Sequence, residues 1–390
     1  MYDSPHQFTP LLPELDLEPL QDRIAKLVAK SVRLSGCAHP TTRDTLRELV
    51  RSMNSYYSNR IEGQSTHPQN IDAALRKDFS NKPDVARLQR IAIAHIEAEK
   101  ELESLVDAGE PPLTSAFTIK AHAALYGRLE PADRLFPDGR VIEPGQLRVD
   151  DVDVGRHVPP TAASLAVFLR RFDEAYGRAS TLGERSLLPI ASAHHRMAWV
   201  HPFLDGNGRA VRLQTHSALW PLTCGLWSVN RGLARNRDKY YEYLAGADAP
   251  RQGDLDGRGN LSEKALRAWC SFFLEICEDQ VHFMGRMLDL DDVRGRISAL
   301  ITLRSEQDKD VRREAVAPLY HLFAAGPLTR GDFAQMTGLG ERVARALLSR
   351  LLATGLVASD GPYAPVRFAA PLDALVILFP GLYPEAAVPQ

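Results

Sequence analysis

Apolar residues recur at steps of three and four along most of this chain, the period of helices that bury one face. The lead-in, residues 1–18, is broken by Pro5, Pro10 and Pro13 and reads as extended. Helical spacing runs from Pro19 to about Lys30. It resumes after Pro40 from Thr41 to Tyr57, where Leu46, Leu49, Val50 and Met53 share a face and Thr41 or Thr42 is placed to cap it. Residues 69–107, rich in Ala, Glu and Leu, predict one or two long helices, ended by the break at 109–112. Thr114 to Tyr126 predicts another, carrying Ile119, His122, Ala123 and Leu125. The proline- and glycine-punctuated stretch 131–144 predicts loop. From Gly145 to Pro160 the period changes. Leu147, Val149, Val152 and Val154 are interleaved with Arg148, Asp153 and the turn pair Asp150-Asp151, which predicts a short β-hairpin in a helical chain.

Helices are predicted again over 161–178 and 184–200. In the second, Ile190, His194 and Met197 form an apolar face that His201 extends by one more step of four. Pro202 stops that helix, because a residue before proline is pushed out of the α region. A further helix is expected from about Arg209 to Trp220, closed by Pro221 and followed by an irregular piece. Beyond it come the tyrosine-rich run 236–244, a loop at 246–259 and a long helix from Leu261 to about Leu290 with Trp269 and Phe273. Near residue 290 the composition shifts. A charge-rich connecting helix (289–312) leads into a helix from Ala315, a helix from Arg330 to Met336, a Gly338-Leu339-Gly340 turn and a helix from Glu341 to Ala353. Short strands follow at 356–357 and 366–368. The expectation is a mainly α protein in three parts, 1–110, 111–290 and 291–390, whose last part is similar to a winged helix-turn-helix.

The chain has 390 residues, with 44% hydrophobic and 25% charged positions, the composition of an ordinary globular protein. A formal charge of −2 supplies no global field toward nucleic acid or an anionic membrane. The N-terminus has no basic start followed by an apolar run, and no stretch approaches a membrane span. Four scattered cysteines without Cys-x-x-Cys spacing argue against a zinc site and point to a reducing cytoplasm. In the C-terminal part, four arginines between Thr329 and Arg350, against Asp332 and Glu341, leave a net +2. That is a weak footprint for a DNA partner, which stays open together with a homodimer.

The chemistry concentrates in His201-Pro202-Phe203-Leu204-Asp205-Gly206-Asn207-Gly208-Arg209-Ala210-Val211-Arg212. Gly206, Asn207 and Gly208 fall at a predicted helix N-terminus, where free backbone N–H groups and the helix dipole attract anions. The run is neither a P-loop nor a dinucleotide fingerprint, since Lys-(Ser/Thr) is missing and a helix, not a strand, precedes it. Asp205 beside an anion site is a candidate Mg²⁺ ligand. Arg209 and Arg212, three apart, are placed to grip phosphate oxygens. His201 has the residue type of a general base near neutral pH. Together these describe transfer of a phosphorus-containing group to a hydroxyl. His194 and His195 invite a metal reading, but no His-Glu-x-x-His is present, and a hydrogen-bonded core histidine is the better expectation for His194.

Every position of this stretch matches His-Pro-Phe-x-(Asp/Glu)-Gly-Asn-(Gly/Lys)-Arg-x-x-Arg, and so resembles the signature of the Fic family. The resemblance implies a helical bundle that transfers AMP from ATP to a Ser, Thr or Tyr hydroxyl. In it His201 is the base, Asp205 holds Mg²⁺, and Gly206, Asn207, Gly208, Arg209 and Arg212 bind the nucleotide. Ser58-Asn59-Arg60-Ile61-Glu62-Gly63 would by pattern alone be a helix end at a glycine. It also resembles the family's inhibitory motif, (Ser/Thr)-x-x-x-Glu-(Gly/Asn), which implies that Ser58 and Glu62 restrain the site by competing for Arg212. Under the same resemblance one of Tyr240 and Tyr241, with Tyr241 favoured, stacks near the adenine, and the hairpin at 145–160 is a flap that docks the target protein. Removal of AMP by the same residues, or a nucleotide-sensing DNA-binding regulator, are the competing readings.

Overall fold

The computed structural model describes residues 2–155, 157–179 and 183–383. The described chain is mainly helical: α1 (Glu18–Ser35), α2 (Pro40–Ile61), α3 (Pro68–Leu75), α4 (Pro83–Asp107), α5 (Ser115–Tyr126), α6 (Leu165–Tyr176), α7 (Leu187–Val200) and α8 (Asn207–Thr223). After these come α9 (Val229–Arg235), α10 (Arg237–Ala247), α11 (Glu263–Met287), α12 (Leu290–Gln307), α13 (Val316–Ala324), α14 (Arg330–Thr337) and α15 (Glu341–Ala353). A two-stranded antiparallel sheet, β1 (Val357–Ser359) with β2 (Val366–Phe368), and the short α16 (Leu375–Leu378) complete it. Val357 pairs with Phe368 and Ser359 with Val366. No helix among the described residues is long and apolar enough to cross a membrane.

The helices follow the hydrophobic spacing closely, and the departures have local causes. Helix α2 is capped by neither Thr41 nor Thr42. Pro40, lacking an N–H, takes the first helical position, and the His39 imidazole accepts from the Thr41 N–H. The Thr42 hydroxyl turns inward instead and donates to the carbonyls of Leu322 and Phe323. Helix α8 begins at Asn207, earlier than Arg209, and runs through Pro221 to Thr223. Near a C-terminus a proline forfeits one intrahelical bond without stopping the last turn. The piece after Pro221, expected to be irregular, holds α9, capped by Ser228.

The hairpin expected at 145–160 is corrected. Among the described residues the segment pairs with itself only at the bridge Val154–His157, and Pro160 bridges instead to Tyr2, so its turn is not at Asp150-Asp151; Arg156 lies outside the described residues. Arg148 explains the irregular path. Its buried guanidinium takes the carbonyls of Asp150, Pro160 and His201, which a regular strand would spend on cross-strand N–H groups. Val149, which alternation would bury, is 78% exposed.

One hydrophobic core runs from Phe8 to Tyr383. Helix α2 is central to it. Along one side it meets the C-terminal region: Thr45 donates to Phe368 O, Tyr57 to Leu382 O, and the Tyr383 hydroxyl returns to Leu49 O. Along another it meets α4 and α8 through a buried polar layer. There Arg51 Nε donates to Glu103 at 2.9 Å, Asn54 Nδ2 to Glu99 at 2.9 Å, and His216 Nε2 lies 3.0 Å from Glu103. Glu99, Glu103 and His216 lie close enough to hold a metal ion, though Arg51 and Asn54 already bond both carboxylates. Helix α2 ends at the site described next.

Candidate active site

The loop between α7 and α8 is held by its own residues. His201 caps α7 in the left-handed region, at φ 50° and ψ 61°. Pro202 forbids a helical His201, and this less populated conformation is fixed from outside: Arg148 Nε donates to the His201 carbonyl at 2.8 Å, and Arg148 N–H to Pro202 O at 2.9 Å. Asn207 closes the loop on itself, with Oδ1 accepting from Phe203 N–H at 2.9 Å and Nδ2 donating to Phe203 O at 2.8 Å. Gly206 is the N-cap of α8 at φ 76°. The Asn207, Gly208 and Arg209 N–H groups, at the first three positions of α8, therefore have no intrahelical acceptor and form an anion nest.

Burial, with His157 and Arg148 alongside, pushes the His201 imidazole down to about 4. It is therefore neutral near pH 7 and able to accept a proton. Asp205 keeps 46% of its side chain exposed, and its Oδ2 accepts from the Tyr126 hydroxyl at 2.7 Å. Its other oxygen carries no hydrogen bond among the described residues. An exposed carboxylate with one spare oxygen beside an anion nest fits a Mg²⁺ ligand.

The two arginines diverge. Arg209 donates to Gln64 Oε1 at 2.9 Å and to the Tyr126 hydroxyl at 2.6 Å. Arg212, 1% exposed, donates from Nε to Ser58 Oγ at 3.0 Å and from Nη2 to Ser58 O at 3.1 Å. The same Nη2 meets Glu62 Oε1 at 2.6 Å. Glu62 is the C-cap of α2, where the helix dipole disfavours an anion. Burial raises its carboxyl further, yet Arg212 and Arg209 outweigh both and hold it below its ordinary value. Glu62 Oε1 also sits against the first turn of α8: a Cβ on Gly208 would lie 2.4 Å from it.

The tyrosine pair divides. Tyr240 is 2% exposed, and its hydroxyl donates to His194 Nε2 at 2.9 Å while His194 Nδ1–H donates to Thr215, itself committed to Val211 O. Tyr241 is 42% exposed, with its hydroxyl 3.4 Å from Ile61 O, beside Glu62. An aromatic face is therefore open only at Tyr241 of the two. His194, and His195 with its bonds to Leu244 O and Arg196, are hydrogen-bonded core histidines as expected.

Three residues at the site carry no signal in the local pattern: Arg148, His122 and Tyr126. His122 Nδ1 accepts from Gly145 N–H at 2.9 Å, so Nε2–H donates to Asp205 O at 3.1 Å. Its ring is stacked between Tyr126 at 4.4 Å and Phe203 at 4.0 Å. His122 and Tyr126 are four apart on α5, a spacing that places both on one helix face, and this was the one available clue.

Residues 112–219 match the family model described as the Fic/DOC family. The chain carries a Fic domain. The matched segment holds α5, the loop at 145–160, α7 and the loop onto α8, so most of the site lies inside it. Glu62 and Tyr241 lie outside it. The chain is 30% identical over 137 residues to the protein adenylyltransferase Fic of Drosophila willistoni, covering 35% of this chain and 24% of that protein. It is 28% identical over 137 residues to the protein of the same name in Culex quinquefasciatus, covering 35% and 24%. The chain thus spans about a quarter of the length of these relatives. Among solved structures, a Fic family protein from Desulfovibrio desulfuricans G20 aligns over 95% of this chain and 99% of its own, at 18% identity and a TM-score of 0.50. Residues 134–508 of Fic-1 from C. elegans align over 68% of this chain and 71% of theirs, at 19% identity and a TM-score of 0.51. These likenesses show the fold.

Proposed function

We propose that this chain transfers AMP from ATP to a hydroxyl of a target protein, and that Glu62 holds the site in a restrained state. The base, the anion nest and the named relatives support the first part. The observation that carries the second is the position of Glu62: its carboxylate stands both on Arg212, at 2.6 Å, and against Gly208.

In this reading neutral His201 removes the proton from a Ser, Thr or Tyr hydroxyl as the oxygen attacks the α-phosphorus of ATP. The bond to the β-phosphate bridging oxygen breaks and pyrophosphate leaves. The N–H groups of Asn207, Gly208 and Arg209 stabilise charge growing on the transferred group, usually a large contribution in such reactions. Arg212 is the anchor for the γ-phosphate, and the exposed face of Tyr241 is the place for adenine. Mg²⁺, held by Asp205, would neutralise phosphate charge. The segment 145–160, pinned to the site by Arg148 and His122, is where an extended piece of target would dock. While Glu62 occupies Arg212, the phosphate tail binds displaced and the α-phosphate is out of line for attack, a misplacement that costs orders of magnitude in rate.

The helix-turn-helix at α14 and α15, with β1 and β2 as its wing, fits a winged-helix module. It offers DNA little: Arg345 is paired with Glu341 and Arg350 with Asp308.

The test is incorporation of labelled AMP from ATP. Glu62→Gly should raise labelling of the chain itself or of an added target by at least tenfold. His201→Ala in that background should abolish it while nucleotide still binds. Labelling unchanged by Glu62→Gly would overturn the restraint, and labelling that survives His201→Ala would remove His201 as the base.

A further inference from the structure

Tyr126 takes no part in the scheme above, yet it touches three of the groups in it. Its hydroxyl donates to Asp205 Oδ2 at 2.7 Å and accepts from Arg209 Nη2 at 2.6 Å. The Arg209 guanidinium lies 5.2 Å from the centre of its ring. The ring also backs Gly206, where a Cβ would come within 2.3 Å of it. Behind it, His122 and Phe203 complete a stack, and His122 holds the Asp205 carbonyl.

Arg209 Nη2 also donates to the same Oδ2, at 3.4 Å, an ion pair that uses a single carboxylate oxygen. Arginine–carboxylate pairs are frequently bidentate. Such a pair would consume both oxygens of Asp205 and neutralise its charge. With the phenol on both groups, the pair meets only at Oδ2, Arg209 is held beside the nest, and Oδ1 carries no hydrogen bond among the described residues.

We propose that Tyr126 is a positioning residue for the divalent cation: its hydroxyl, shared between Arg209 and Asp205 Oδ2, confines their ion pair to that one oxygen and leaves the other free to bind the ion. The inference rests on Asp205 being the cation ligand. Removing a hydrogen-bond partner of a metal-binding carboxylate commonly weakens metal affinity by about 10–100-fold.

Tyr126→Phe keeps the ring, its stack on His122 and its contact with Gly206, and removes only the hydroxyl. The probe is Mn²⁺, whose free concentration is read by electron paramagnetic resonance in the presence of a non-hydrolysable ATP analogue, using the full chain with Glu62→Gly. Tyr126→Phe should weaken Mn²⁺ binding by about tenfold and leave analogue binding in EDTA within twofold. Asp205→Asn should weaken Mn²⁺ at least as much, and adding Tyr126→Phe to it should cost nothing further, because the two act through one carboxylate. Mn²⁺ affinity within twofold of the parent in Tyr126→Phe, or additive losses in the double variant, would overturn the positioning role. If the parent chain shows no nucleotide-linked Mn²⁺ site, or Asp205→Asn binds Mn²⁺ as tightly as the parent, the cation role of Asp205 falls instead, and the two failures are told apart.

Discussion

At the scale of single residues, the acid–base behaviour of His201 is the sharpest consequence of the fold. A free imidazole titrates near 6.5, whereas His201 is pushed down to about 4 by burial, with His157 and Arg148 alongside. The folded value lies below the free one, so the proton-accepting form persists as pH falls through 6.5 and is lost only nearer the depressed value. The acid limb of kcat/KM for AMP transfer by the Glu62→Gly chain should therefore have an apparent pKa well under 6, because this ratio reports the free enzyme. An acid limb at 6.5 or above would mean that His201 titrates as an exposed imidazole. The residues of this site differ in how readily the sequence announces them. His201, Asp205, Asn207 and Arg212 lie in one run whose spacing is set by a helix end, a turn and a helix start. Glu62 stood out because an acid at a helix C-terminus needs a cation to hold it. His122 and Tyr126 reach Asp205 across 83 and 79 residues, and only the packing of α5 against α8 brings them there.

At the scale of elements, the turn from α7 into α8 is the part least tolerant of change. Gly206 sits at φ 76°, and an added Cβ would meet the Tyr126 ring at 2.3 Å. Two penalties combine there, left-handed backbone for a residue with a side chain and overpacking of a rigid aromatic ring, for about 2–4 kcal/mol in all. Gly206→Ala should lower the urea midpoint accordingly and also weaken nucleotide binding, since Tyr126 and Asp205 move with the turn. Gly246 in α10 is the control. It has negative φ and nothing within 4 Å of its Cβ direction, so Gly246→Ala should be neutral or stabilising. A Gly206→Ala chain as stable as its parent would show that the turn relaxes freely. Helices of this kind were legible because their apolar positions keep a 3.6-residue period over three or more turns. The segment at 145–160 misled because alternation of valines carries no information about where an inward arginine sends its hydrogen bonds. Arg148 decides that path, and its acceptors lie partly in the segment itself, at Asp150 and Pro160, and partly at His201, 53 residues on.

At the scale of the whole molecule, the core buries an unusual set of histidines, and their common shift fixes how stability depends on pH. Burial pushes His95 and His194 down to about 3 and His122 and His201 to about 4, and it lowers His195 as well. Each has a folded value below 6.5, so each is neutral in the folded chain and takes up a proton on unfolding once pH drops below 6.5. Their contribution to stability is complete above 6.5 and is lost as pH falls toward 4. Two groups behave otherwise. Glu99 is raised by burial to about 7, so it costs stability as pH rises from 4.5 to 7 and returns it as pH falls. His216, raised by Glu99 and Glu103 against the cost of its burial, is fully stabilising below 6.5. Five histidines against one glutamate leave a net uptake of up to about four protons on unfolding, each worth about 1.4 kcal/mol per pH unit when complete. Because α2, α4, α5, α7 and α8 all carry members of this set or their partners, α2, α4, α7 and α8 share one core with the C-terminal region, and α5 packs on α4 and α8, the loss falls on the whole chain. The thermal midpoint should drop by several degrees between pH 7 and pH 5 at constant ionic strength. The drop should be smaller in His95→Gln, which removes a fully buried imidazole whose two nitrogens make no hydrogen bond among the described residues. A midpoint that is flat or rises over that interval would mean that the buried histidines are already charged in the folded chain, and would count against the neutral His201 on which the proposed proton removal depends.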